Sequence, residues 1–200
     1  MRILAALLML LAGCTGAGGE EGGSQGSSIV EQAQAQVVEA PATPADPAPG
    51  PVGCTAEEEP IFSCAVPGGK RLAVCAAQQG EAEYRFGGKS PELVLRGGKW
   101  ANAMYSGGGE AQIEFANGDT RYIVFSRMVR TNFTAGEPNN PAITDGVLIS
   151  REGEFIALRL CAGGQAEIPV QYDAAERAFA QEDDLFTEET IRADPDWANE

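Results

Sequence analysis

From Ile61 to Cys161 the chain alternates short apolar runs with breaks rich in turn residues. IFSCAV, RLAVCA, AEYRF, ELVLR, WANAMY, AQIEF, TRYIVFS, GVLIS and EFIALRLC are nine candidate strands. Runs of this length and alternation, cut by turn residues, are the signature of antiparallel sheets. Helical periods are nearly absent before residue 173, so the expected fold is all-β, an antiparallel β-sandwich or small β-barrel whose edges close or are covered. In IEFANGDTRYIVF, an Asn117-Gly118 turn offers two residues that tolerate positive φ. Pairing about it sets Ile113 opposite Tyr122 and Ala111 opposite Val124. SREGEF predicts a second tight turn at Glu152-Gly153. In FSCAVPGGKRLAVC, Phe62, Cys64 and Val66 fall on one face with Leu72 and Val74 across a Gly68 to Lys70 loop, and Cys75 falls on the opposite face.

The pattern changes at both ends. Met1 and Arg2 are followed by an apolar run from Ile3 to Ala12. This has the layout of a signal peptide over residues 1–13 and is shorter than the ~20 residues that span a bilayer. Residues 14–53 are dominated by Gly, Ala, Ser, Gln and Pro. They carry too little apolar surface to offset ordering and read as a disordered tether, reaching about 35 Å as a coil. Residues 54–172 make up the β domain. In the acidic C-terminal segment, residues 173–200, Asp173 and Glu176 have capping-box spacing before a short helix in AERAFAQ, and Thr187 is placed to cap a second turn through EETIRA. Leu185, Phe186, Ile191 and Trp197 are the side chains expected to dock this segment.

The formal charge of -15 is unevenly distributed. Residues 60–172 hold eleven acids and eleven bases, whereas residues 173–200 hold ten acids against Arg177 and Arg192. Acidic flanks of this kind are solvated, and with no basic patch the sequence argues against nucleic acid as a partner.

Leu11-Ala12-Gly13-Cys14 resembles the lipobox of bacterial lipoproteins. The resemblance implies a lipidated Cys14, cleavage after Gly13 and acylation of the new amino group. Several acyl chains hold a protein stably, at ~0.8 kcal/mol per buried methylene. In the sorting rule of that family an aspartate after the cysteine favours the inner membrane, so Thr15 implies the outer membrane. The location expected is therefore the cell envelope, with the domain in the periplasm or at the cell surface.

Four further cysteines in an exported chain favour two disulfides. Three connectivities are possible. The strand pattern places Cys64 and Cys75 on opposite faces, which forbids their bonding. Ile156, Leu158 and Leu160 alternate as an inner face, which puts Cys161 on the outer one with Cys75. The pairs expected are Cys75 with Cys161 and Cys54 with Cys64.

The chain contains no histidine, which removes histidine-based nucleophile systems and zinc sites. The cysteines lack paired C-x-x-C spacing, so neither a metal nor a cofactor is expected. A hydrolase using carboxylates alone would draw on Glu110, Glu114, Asp119 and Asp145, although any acidic surface offers as many candidates. YSGGGEAQIEF, residues 105–115, reads as a glycine-rich turn before a strand, with Tyr105, Ser106 and Glu110 as candidates for a recognition surface. RTNFTAGEPNNPAITDG, residues 130–146, is the longest polar break, and it retains Asn132 and Phe133 as further binding candidates.

Cys64, Gly69-Lys70, Leu72, Val74-Cys75, Tyr84-Arg85-Phe86-Gly87 and Glu92-Leu93 with Leu95 resemble the pattern of a group of small exported bacterial proteins of unassigned activity, over residues 62–161. The anchor, the size, the cysteine in the final strand and Ser106-Gly107 are also similar to the membrane-bound inhibitor of C-type lysozyme, whose fuller Ser-Gly motif with its following tyrosine is missing here. The expected function is a non-catalytic, membrane-anchored binding module of the envelope, with a protein or glycan as ligand. The alternatives are an inhibitor-like barrel and a carboxylate-dependent hydrolase.

Overall fold

The structure is a computed structural model that describes residues 50–77 and 81–194. The expected signal peptide, Cys14, the tether as far as residue 49 and Trp197 lie outside the described residues.

The strands build two sheets. β1 (Glu59–Val66), β2 (Lys70–Ala76), β3 (Ala82–Gly87) and β4 (Pro91–Arg96) form a four-stranded antiparallel meander. β5 (Lys99–Tyr105), β6 (Gly108–Asn117), β7 (Thr120–Val129), β8 (Ala142–Arg151) and β9 (Glu154–Leu160) form a second meander. A short β10 (Ala180–Glu182) joins it in parallel beside β5. Phe62, Leu72, Val74 and Tyr84 of the first sheet and Trp100, Ile113, Phe115, Val124 and Val147 of the second are buried in one shared cluster. The arrangement is thus a two-sheet sandwich.

The edge of β1 and parts of both outer faces are covered by the segments that flank the strands. Ser63 and Ile168 exchange backbone hydrogen bonds of 2.9 and 3.0 Å, so residues 166–171 cover the free edge of β1. Val52 is already buried, two residues ahead of the expected domain boundary. From there the entry segment lies on the outer face of the first sheet, where Arg85 makes a two-pronged ion pair with Glu58 at 2.5 and 2.9 Å. The C-terminal segment covers the second sheet. Ile123, Phe125 and Leu148 lie on the outer face of that sheet and are buried outside the shared cluster. A 3₁₀ turn at Glu189–Ala193 packs on β8 and β9, with Thr190 and Ala193 buried.

Several sequence expectations need correction. The hairpin between β6 and β7 turns at Gly118-Asp119, with Asn117 paired to Thr120 and Ile113 to Val124. Of the turn residues only Gly118 has positive φ, at 58°, so the chain uses a turn with glycine first and leaves Asn117 in the strand. The slip is even, so the same residues still face the core. The Glu152-Gly153 turn stands as expected, both residues having positive φ. β8 begins at Ala142, which shortens the polar break to residues 130–141. Helix α1 spans Tyr172–Ala178 without a side-chain cap, and Phe179 leads into β10 instead of prolonging the helix. Ile191 is exposed, and Thr190 and Ala193 fill the place expected for it.

The disulfides also differ from expectation. Cys54 bonds Cys75, and Cys64 bonds Cys161, with Cα separations of 5.4 and 5.7 Å. Cys64 and Cys75 do occupy opposite faces, since Cys64 pairs with Leu72 and Cys75 with Pro60. The error lies in β9. Leu158 pairs with Leu148 and Leu160 with Gly146, which places these leucines on the outer face. That face is apolar because the C-terminal segment covers it, so apolar alternation named the wrong side and Cys161 points inward to Cys64.

Candidate functional site

Local sequence explains the strand ends that frame the site. The glycine triplet divides its roles. Gly107 takes positive φ, 87°, in the turn from β5 to β6. Gly108 is already in β6, where a Cβ would fall 2.0 Å from the Met128 carbonyl oxygen of β7. Close strand approach, and not ligand approach, therefore requires this second glycine.

Along β6, Glu110 and Gln112 face away from the shared core yet are fully buried beneath the C-terminal segment. Gln112 uses both ends of its amide. Its oxygen accepts from the Phe186 and Thr187 backbone N–H groups at 2.9 and 3.2 Å, and its nitrogen donates to the Thr187 carbonyl at 2.8 Å and to Glu110 at 2.6 Å. Glu110 also accepts from the Tyr105 hydroxyl at 2.8 Å and from Arg127 at 2.6 Å. Arg127 in turn grips Asp194 through two bonds of 2.8 and 2.9 Å and stacks on the Tyr105 ring, its carbon centre 5.2 Å from the centroid. Burial works against the charge of Arg127, but bonds to Asp194 and Glu110 outweigh it and raise its pKa. Burial and the bond to Glu110 push the Tyr105 hydroxyl up to about 12, so it stays a neutral donor.

Above this network lies an open cleft of about 710 Å³. One wall is strand and loop: Tyr105, Ser106, Arg127, Arg130 and Phe133. The other is the C-terminal segment, with Asp183, Asp184, Leu185, Glu188 and Ile191. Phe133 is 72% exposed and lies under the Arg130 guanidinium, 5.0 Å from its centroid.

The five expected binding residues thus separate into three places. Tyr105, Ser106 and Phe133 share the cleft. Glu110 does not belong to a surface; it is the buried anchor beneath it. Asn132 is spent on its own loop, where it accepts from Thr134 N–H at 3.0 Å and donates to Glu137 and the Pro138 carbonyl at 3.0 Å. The four acids considered for hydrolysis do not converge. Glu110 and Asp145 face opposite sides of the second sheet, Glu114 lies four residues along β6, and Asp119 sits in a turn. The acids that do border the cleft, Asp183, Asp184 and Glu188, come from the segment read as a solvated flank. Gln112, Arg127 and Asp194 were missed altogether. The available signal was YIVF in β7, an unbroken apolar run that marks a strand buried on both faces.

Among the described residues no group of three or more His, Cys, Asp or Glu is placed to hold a metal ion, and no helix is long and apolar enough to cross a membrane. No protein-family model matches the chain, and no curated protein or solved structure gives a significant match to it.

Proposed function

We propose that this chain is a membrane-anchored, non-catalytic lipoprotein of the cell envelope whose β domain binds a protein or glycan partner. The observation that carries the reading is the cleft of about 710 Å³, a size within the range of ligand sites. Its strand wall offers an exposed aromatic ring and the Arg130 guanidinium beside it, and its opposite wall offers carboxylates. A ligand with both polar groups and apolar faces matches such walls, since rings cover its apolar faces and charged groups fix its hydroxyls or amides. Below them the fully buried Glu110 and Gln112 tie the strand wall to the C-terminal segment. Two disulfides fit an oxidising compartment outside the cytoplasm, and the lipobox-like Cys14 supplies the anchor.

The test is capture from an envelope extract by the full-length protein in detergent, with Phe133→Ala and Ser106→Trp variants beside it. Phe133 and Ser106 are exposed and hold no core contacts, so the fold survives both changes. Loss of the captured partner in both variants supports the cleft. Undiminished capture by both would place binding elsewhere.

A further inference from the structure

The cleft occupies one side of the second sheet; the other side carries a distinct cavity at the end where that sheet outruns the first. Met104, Gly109, Met128 and Ile143 lie directly opposite one another across β5, β6, β7 and β8. Met104 is 80% exposed, Met128 41% and Ile143 40%. With Pro169 and Tyr172 they line a cavity of about 260 Å³. Two residues further in, on the same face, Ser126 pairs with Asp145.

Asp145 is the unusual member. It is 1% exposed and lines this cavity. One carboxylate oxygen accepts from the Ala166 N–H at 2.8 Å, while the other is buried with no hydrogen-bond partner among the described residues. A buried acceptor without a donor costs free energy that a ligand supplying the donor would recover. No described side chain supplies it: the Ser126 hydroxyl accepts from the Val170 N–H and does not bond this oxygen, and the Arg127 guanidinium is held on the other face by Glu110 and Asp194.

We propose that this cavity is a second ligand site, taking a small organic cation: a primary ammonium on an aromatic or alkyl stem, with the ammonium on Asp145 and the stem against Met104, Met128, Ile143 and Tyr172. An ammonium brings three donors and the opposite charge. Methionine side chains adapt their shape to an apolar stem. At about 260 Å³ the cavity lies below the ~300–1,000 Å³ of drug-sized ligand sites, which suits a small free amine and not a folded partner. This site is independent of the binding function proposed above.

The probe is benzylamine, with benzyl alcohol as its neutral counterpart of the same size. Only four methionines occur in the chain, and Met104 and Met128 are the two within the domain. Methyl-labelled methionine in the full chain therefore reports on the cavity directly by NMR. Benzylamine should shift both methyl signals saturably and bind about tenfold or more tightly than benzyl alcohol. Asp145→Asn, which keeps an oxygen for Ala166 N–H, should erase that preference. Equal affinity for the two probes, or no saturable shift at either methionine, would overturn the proposal and leave a hydrated carboxylate beside an apolar rim. The comparison of probes needs no variant and holds even if Asp145→Asn does not fold.

Discussion

Replacing Arg127 by methionine removes one side chain from a buried network and leaves its partner exposed to the consequences. Glu110 is fully buried, and the Arg127 side chain is 10% exposed. Methionine has similar length and fills the space, so the packing change is small, but the fully buried Glu110 loses its counter-ion. Breaking a buried pair from one side costs about 3–5 kcal/mol. Against a total stability of about 5–15 kcal/mol, that is a large share. The loss of the Asp194 grip adds a local effect, loosening residues 185–194 from the outer face of β7. The assay is equilibrium denaturation in urea for four proteins: the parent, Arg127→Met, Glu110→Gln and the double variant. Because Glu110→Gln removes the stranded charge, the double variant should be more stable than Arg127→Met alone. A cost below about 1 kcal/mol for Arg127→Met, with no recovery in the double variant, would refute the reasoning.

Three other outcomes follow from the same structure. Peptide mapping without reduction should recover Cys54 linked to Cys75 and Cys64 linked to Cys161, and replacing the second pair, 97 residues apart in sequence, by alanine should cost about 4–5 kcal/mol. The Arg85 bonds hold the Glu58 carboxyl below its ordinary value of 4.5, so Glu58 adds stability above that pH and loses it as the pH falls through the lowered value. The acid limb of the stability curve should therefore flatten in Glu58→Gln. Gly108→Ala forces a Cβ against the Met128 carbonyl and should destabilise by about 1–3 kcal/mol in the same denaturation assay, whereas Gly118, whose Cβ would meet nothing, is limited by its φ alone.

The strands were legible because alternation and turn residues are local. Phe62, Cys64 and Val66 share a face with Leu72 and Val74 as the pattern predicts, although the turn lies one residue earlier than the expected Gly68 to Lys70, because Lys70 pairs with Val66. What local pattern could not show was that the second sheet is covered on both faces. In Glu110-Ala111-Gln112-Ile113-Glu114 the polar residues alternate as if facing water, yet Glu110 and Gln112 are buried under residues 74 and more positions away in sequence. The same hidden layer made Leu158 and Leu160 look like core residues and reversed the disulfide pairing. The cleft was half readable for a similar reason. Phe133 stands out as an aromatic ring in a polar loop, and Tyr105 and Ser106 adjoin a conspicuous glycine turn. The opposite wall, by contrast, comes from a segment whose acidity spoke only for solvation.

The account rests on attachment to a membrane outside the cytoplasm, and an intact mass of the protein extracted from the producing cells' membranes tests it most directly. The expected species begins at Cys14, carries the mass of its acyl chains and contains two disulfides. An unprocessed chain beginning at Met1, recovered from the soluble cell interior with all five thiols free, would contradict it.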